Sequence, residues 1–167
     1  MLAFIWAEDQ NHLIGQNGHL PWSLPADLHY LKQTTLNSTI VMGAKTFQSF
    51  PNGALPQRKN LVLSHEPQKF SNEKNIQVAN SKVQLQKLFA HDSRVFIFGG
   101  PALFQMFLSE VQYLYVTQIT AQFVGDTWMI PIDYSQFELI KRTQGTVDKV
   151  NLWPHEFLLY RRKNLEI

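Results

Sequence analysis

Four short apolar runs, set apart by segments of helix length, constrain this chain more than any other feature. Leu2–Ala7, Ile40–Met42, Val95–Phe98 and the centre of Asn60–Ser64 are too short to be buried helices and carry no solvent-facing alternate. They read as strands buried on both faces, the habit of a parallel sheet covered by helices. The segments between them carry helix signals. Pro25 to Thr35 starts at a proline, Lys45 to Phe50 makes a short helix, and Asn80 or Ser81 caps one with Val83, Leu85 and Leu88. Pro101 starts another helix with Leu103, Phe104, Phe107 and Leu108. Ile76 and Val78 mark a brief strand after the polar stretch Pro67 to Asn75. Val111 to Ile119 is a strand with Tyr113, Tyr115 and Thr117 on one alternate and Leu114 and Val116 on the other. Phe137 to Lys141 and Glu156 to Arg161 follow with only a polar segment, Gly145 to Asn151, between them. The expected fold is α/β: a central, mostly parallel, twisted sheet of about eight strands, helices on both faces and an antiparallel C-terminal edge. No repeat or linker divides residues 1–167, so a single domain is expected.

Charge and composition narrow the function classes. The net charge is +2, and apart from Arg161-Arg162-Lys163 the basic residues are scattered, which makes no footprint for nucleic acid. There is no cysteine, so disulfides, thiolate catalysis and cysteine-ligated metals are excluded. His12, His19, His29, His65, His91 and His155 lack metal-ligand spacing, and no metal is expected. No Gly-x-Ser-x-Gly elbow marks a serine nucleophile. The N-terminal run turns acidic within a few residues and resembles neither a signal peptide nor a membrane span; a cytoplasmic protein is the expectation.

In a sheet of this kind, ligands gather beyond the carboxyl ends of the strands. Four features fall there: the Gly15–Trp22 loop, Gly43-Ala44-Lys45-Thr46, Ser64-His65 and Gly99-Gly100. The glycine pair between a strand and a helix lets a phosphate approach backbone N–H groups, although a tight turn accounts for it equally well. Neither the Gly-x-Gly-x-x-Gly nor the P-loop fingerprint is present. Lys45 with Thr46, and Ser64 with His65, suit a nucleotide bearing an extra phosphate; a solvated lysine is the plain alternative. Arg58, after the Leu55-Pro56 turn, is either a fork for a carboxylate or a surface arginine.

Asp27 lies in the first turn of the helix that Pro25 begins. Leu24, Leu28 and Leu31 share one face there and should meet a core. On local sequence alone Asp27 reads as a helix-start acid that water reaches. Its neighbours Trp22 and Leu28 also allow an acid at the edge of an apolar region.

Taken together, these segments resemble dihydrofolate reductase of the bacterial type over nearly the whole chain. The resemblance rests on Ile14-Gly15, Leu20-Pro21-Trp22 and Leu24-Pro25-Ala26-Asp27-Leu28. Val41-Met42-Gly43-x-Lys45-Thr46, Leu55-Pro56-x-Arg58-x-Asn60, Gly99-Gly100 and Gly125-Asp126-Thr127 support it. It implies hydride transfer from C4 of NADPH to C6 of 7,8-dihydrofolate, with protonation at N5. It makes Asp27 the lone ionisable group at the pterin, Trp22 the holder of an ordered water and Thr117 the hydroxyl partner of Asp27. A carboxylate in such a pocket should have a raised pKa. Trp6, Ala7, Leu28, Leu31, Phe50, Leu55 and Phe98 become walls of the substrate pocket. Arg58 grips the glutamyl α-carboxylate, with His29 near the outer one.

The same resemblance makes Gly15–Trp22 a mobile loop with Leu20 at its tip, and Gly125-Asp126-Thr127 its partner in closure. Ala7, Ile14, Gly15, Gly18, His19, Leu20 and Thr127 would then meet the nicotinamide half of NADPH. Gly43, Ala44, Lys45, Thr46, Leu63, Ser64 and His65 would meet its adenosine and phosphates, within an adenosine-binding subdomain spanning about residues 39–90. Gly99-Gly100, joined by a cis peptide, and Pro101, Ala102, Leu103 and Phe104 would receive the pyrophosphate. Dihydrofolate, NADPH and antifolate inhibitors are the implied partners, with no nucleic acid or membrane and a monomeric state. Leu31, Ala44, Phe98 and Pro101 depart from the common bacterial pattern. Two rivals remain at this stage: a related reductase of another pterin or of a pyrimidine intermediate of flavin biosynthesis, and a non-catalytic folate- or nucleotide-binding relative.

Overall fold

The computed structural model describes residues 1–164. In chain order the elements are β1 (Leu2–Glu8), β2 (Leu13–Gly15), α1 (Pro25–Thr35), β3 (Thr39–Gly43), α2 (Ala44–Gln48), β4 (Lys59–Leu63), β5 (Ile76–Ala79), α3 (Lys82–Phe89), β6 (Val95–Gly99), α4 (Pro101–Phe107), β7 (Tyr113–Ile119), β8 (Thr127–Trp128), β9 (Phe137–Gln144) and β10 (His155–Arg162). Each apolar run is the centre of a strand that reaches a residue or two further, because ladder pairing continues through any residue that can extend. Eight strands form one sheet in the order β5-β4-β3-β6-β1-β7-β10-β9. Pairing is parallel from β5 to β7 and antiparallel at β7–β10 and β10–β9. This is the expected mixed sheet with its antiparallel C-terminal edge. The edge strand β9 is exposed beyond Phe137 and carries Glu138, Lys141 and Arg142, charges that discourage pairing with another chain.

Strand alternation divides the core in two. Phe4, Val41, Leu61, Ile97, Leu114 and Val116 meet Leu85 of α3 and Leu103, Phe104 and Phe107 of α4 on one face. Ala3, Ile5, Ile40, Met42, Val62 and Phe96 meet Phe47 of α2 and Tyr30 and Leu31 of α1 on the other. Helices thus cover both faces, as the sequence predicts. Ser81, rather than Asn80, caps α3, its side chain accepting the Gln84 N–H. Two short elements had no sequence signal: β2 and β8 pair with each other, joining the Asn11–Trp22 segment to Thr127–Trp128. Strands of two or three residues carry no periodicity to detect.

The expected core face of α1 needs correction. Leu24 is buried, Leu31 is half-buried, and Leu28 is 56% exposed. Within α1 only Thr35, at its C-terminal end, is fully buried. The helix packs on the sheet through Tyr30 and Leu31, and the crevice between α1 and the ends of β1 and β7 is where Asp27 meets Thr117.

Candidate active site

The crevice is organised by one register. Ala7 of β1 pairs with Thr117 of β7, which pairs in turn with Phe157 of β10, so the three side chains rise from the same sheet face. Asp27 descends onto them from α1, and its Oδ1 accepts the Thr117 hydroxyl at 2.7 Å. Burial raises the Asp27 carboxyl above its ordinary range; the Thr117 hydrogen bond and the nearby His155 lower it by less. Tyr30, one turn on, stacks on Phe157 at 4.3 Å between ring centroids. Burial first, then the neighbouring Tyr115 and Asp27, push its hydroxyl up to about 12, against a smaller lowering by the Thr34 hydrogen bond.

Leu24, the N-cap of α1, has no side-chain acceptor for the first free N–H groups of the helix. Asn151, far along the chain, supplies one: its Oδ1 accepts the Ala26 N–H at 2.8 Å. Asp148 holds Asn151 in turn, its Oδ1 accepting the Asn151 backbone N–H at 2.7 Å. Sequence reasoning missed Asn151 and Phe157. Nothing local marks either, although Asp148 and Asn151 have the spacing of a side-chain-capped turn.

Arg58 lies at the other end of α1. Its Nη1 donates to Thr35 Oγ1 at 3.1 Å and its Nε to the Pro56 carbonyl at 3.0 Å. Buried Asn60 fixes the turn, accepting the Leu55 N–H and donating to the carbonyls of Leu55 and Arg58. Leu31, Phe50, Leu55 and Phe98 gather with Tyr30 around the core cluster on this face. His29 and Leu28 are exposed on α1. Trp6 does not join them. As an even-numbered residue of β1 it points to the opposite face and packs on Phe104, 5.9 Å between ring centroids.

Above the crevice runs the Gly15–Trp22 segment. Asn17 (φ 51°) and Gly18 (φ 77°) turn it, with backbone hydrogen bonds in both directions between Gln16 and His19. Leu20 at its tip is 47% exposed, His19 is exposed and Ile14 half-buried. Trp22 is buried against Phe123, and its indole Nε1 has no hydrogen-bond partner among the described residues. The Asp126 carboxylate accepts the Asn17 N–H at 3.0 Å, and the Asp126 N–H donates to the Gly15 carbonyl at 3.1 Å. The Asn17 bond first, and the Thr127 hydroxyl that Asp126 Oδ1 accepts at 2.8 Å second, lower the Asp126 carboxyl. Thr127 closes on Gly15: a Cβ built there would sit 3.3 Å from the Thr127 Cβ.

The glycine turns meet at the neighbouring ends of β3 and β6. The Gly99–Gly100 bond is cis, Gly99 has φ 112°, and a Cβ at Gly99 would strike the Phe104 ring at 2.9 Å. A Cβ at Gly43 would lie 3.7 Å from the Gly99 carbonyl oxygen, whereas one at Gly100 would meet nothing within 4 Å. Gly43 and Gly100 are N-caps with no side-chain cap, so the first N–H groups of α2 and α4 have no acceptor on the cap residue. Leu63 pairs with Gly43 in register, which brings Ser64 and exposed His65 beside Ala44, exposed Lys45 and half-buried Thr46. Ser64 Oγ accepts the Glu66 N–H at 3.1 Å. Pro101 and Ala102 lie at the surface end of α4. Leu103 and Phe104 are buried in the core, and the Phe104 N–H is already bonded to the Gly100 carbonyl at 3.0 Å. Side chains at those two positions therefore do not open to this cleft.

The same combination of fold and site occurs in known proteins. The dihydrofolate reductase family model matches residues 1–162. Over 164 residues the chain is 36% identical to the dihydrofolate reductase of Enterococcus faecium, with 97% of each sequence covered. It is 37% identical over 164 residues to that of Bacillus subtilis strain 168, covering 98% of this chain and 96% of the relative. A solved dihydrofolate reductase from Enterococcus faecalis, complexed with NADP(H) and RAB-propyl, superposes with a TM-score of 0.91 at 34% identity. That match covers 98% of this chain and 97% of the other. With a family model spanning nearly all of it and relatives matched over almost their full length, this chain belongs to the dihydrofolate reductase family.

Proposed function

We propose that the protein is an NADPH-dependent dihydrofolate reductase that converts 7,8-dihydrofolate to 5,6,7,8-tetrahydrofolate. The single observation that carries the site assignment is the Asp27–Thr117 pair: one acid, raised by burial, in the crevice between α1 and the strand ends. NADPH supplies the hydride, delivered to C6 of the pterin. The protein supplies position, since hydride transfer needs two flat rings held face to face more than it needs many acid–base groups.

Asp27 binds the pterin edge and helps place the N5 proton through water, while Thr117 fixes the orientation of the carboxyl. The unpartnered indole N–H of Trp22 is the donor that would hold a water beside the pterin. Asp27 and Thr35 are eight residues apart on α1, a rise of about 12 Å. That length supports a substrate whose heterocycle sits at Asp27 and whose carboxylate meets Arg58. Leu28, Leu31, Phe50, Leu55 and Phe98 line the path between, and His29 faces the outer carboxylate. Ala7, Ile14, Gly15, Gly18, His19, Leu20 and Thr127 enclose the nicotinamide end.

The uncapped helix starts after Gly43 and Gly100, with Thr46, suit the pyrophosphate, and Lys45, Ser64 and His65 suit the adenosine 2′-phosphate. The β3–α2–β4–β5–α3 edge, about residues 39–90, acts as the adenosine-binding subdomain. We place the enzyme in the cytoplasm as a monomer. No helix among the described residues is long and apolar enough to cross a membrane, and a cysteine-free chain suits a reducing compartment.

NADPH oxidation followed at 340 nm with dihydrofolate tests the reading, with NADH and an unrelated oxidised pterin as controls. Turnover requiring both NADPH and dihydrofolate is the expected result. Asp27→Asn should lower kcat near neutral pH by about a hundredfold or more while leaving NADPH affinity nearly intact. Unchanged turnover in that variant would remove Asp27 from the reaction.

A further inference from the structure

Glu8 ends β1 as a buried carboxylate, 1% exposed. Burial of this kind is costly unless both oxygens are engaged. Oε1 accepts the indole N–H of Trp6 at 2.8 Å, and Oε2 meets Nδ1 of His12. These partners lead in different directions. Trp6, two residues back on the same strand face, packs on Phe104, the ring that a side chain at Gly99 would strike. His12 stands at the root of the Gly15–Trp22 segment with a left-handed φ of 63°, and its carbonyl accepts the Met129 N–H at 2.8 Å. Its side chain is 64% exposed, so water and protons reach it.

We propose that Glu8 and His12 form a pH-responsive latch that positions Trp6: charged His12 holds the Glu8 carboxylate, and Glu8 holds the Trp6 indole against Phe104. The loop root is thereby tied to the paired-glycine turn. Glu8 and His12 are positioning residues here. Only the effect of the latch on NADPH affinity rests on the reductase reading, through the assignment of that turn to the cofactor. A histidine changes charge between about pH 5 and 8. The other ionisable groups facing Glu8 are Tyr134 and Tyr160, whose hydroxyls are raised by burial first and by the Glu8 charge among smaller influences. Both remain neutral across that window. Asp9, next in the chain, turns away, its oxygens accepting the N–H groups of Asn11, Leu13 and Phe123. The latch is firmest while His12 carries a proton. It slackens as pH rises, because a neutral imidazole offers the carboxylate a hydrogen bond without charge assistance.

Two-dimensional nitrogen–proton spectra of the indole groups across pH 5–8 test the latch directly, with the Trp6 signal assigned by its loss in Trp6→Phe. The Trp6 resonance of the parent protein should titrate with a midpoint inside that window. It should stay flat in His12→Gln, which alters an exposed ring, and in Glu8→Gln, which keeps an acceptor for the indole but no charge. A Trp6 signal that titrates equally in the parent and in His12→Gln, or that is flat in the parent, overturns the proposal. NADPH affinity supplies the second readout. Between pH 6 and 8 the Kd of the parent should rise about two- to fivefold more than that of His12→Gln. Taking the ratio of the two proteins removes the pH dependence they share, that of the cofactor's own phosphate included. A constant ratio would overturn the link to the glycine turn. Failure of both proteins to bind NADPH would instead sink the reductase reading and leave the spectra to decide the latch.

Discussion

Asp27 combines two demands that oppose each other. Its place in the crevice suits proton handling, and the same burial penalises its charge. A group whose pKa is raised on folding binds its proton more tightly in the native state. Its contribution therefore favours folding at low pH and is lost as pH rises through the folded value. Asp27→Asn removes that titration while keeping an acceptor for Thr117. The variant and the parent should have equal stability near pH 3, and the variant should be the more stable at pH 7. Urea denaturation at both pH values checks this, and a variant less stable at pH 7 would show that burial of the charge carries no cost. Arg58 offers a separable test. Burial lowers its pKa only from a very high starting value, so it keeps its charge. Arg58→Leu should raise the KM for dihydrofolate by about tenfold to a hundredfold and leave the KM for NADPH within about twofold. Equal changes in both would remove Arg58 from the substrate site.

At the scale of elements, the site depends on short helices that begin without side-chain caps. An uncapped start is a weakness in an isolated helix, and here it suits the proposed pyrophosphate contact. The parallel register that pairs Gly43 with Leu63 then sets Lys45 and His65 side by side, each two residues beyond its strand end. Lys45→Ala with His65→Ala should therefore reduce the ratio of kcat/KM for NADPH over NADH by about tenfold or more. A ratio unaffected by the double change would place 2′-phosphate recognition elsewhere. Helix α1 shows the converse arrangement: Leu24 cannot cap it, and Asn151 does so from the far end of the chain.

Across the whole molecule, the proposed cofactor groups come from β3, β4, β6 and the loop that β2 and β8 tie down. Occupation of such a site links elements far apart in sequence and should stabilise the fold as a unit. NADPH at a hundredfold excess over its Kd should add about 2.7 kcal/mol and raise Tm by several degrees, with a smaller rise for NADH at the same concentration. Thermal denaturation with each nucleotide checks this, and an unmoved Tm at saturating NADPH would contradict binding across these elements.

Much of this was legible in the chain itself. The apolar runs, Pro25, Pro101 and the Asn80-Ser81 pair specify strands and helix starts by local physics, and their alternation dictates a helix-covered parallel sheet. The motif residues Asp27, Arg58, Lys45 and Gly99-Gly100 could be singled out because each lies at an element end of known type. Tertiary structure alone decided what they touch. Trp6 and Ala7 are adjacent in sequence, yet pleating sends one to Phe104 and the other toward Thr117. Leu28, patterned for a core, is exposed, because α1 meets the sheet through Tyr30 and Leu31 instead. Asn151, the β2–β8 pair and the Glu8–His12 contact depend on partners that no local window contains. Periodicity encodes which face a residue takes within its own element, whereas distances between elements emerge only when the whole core packs.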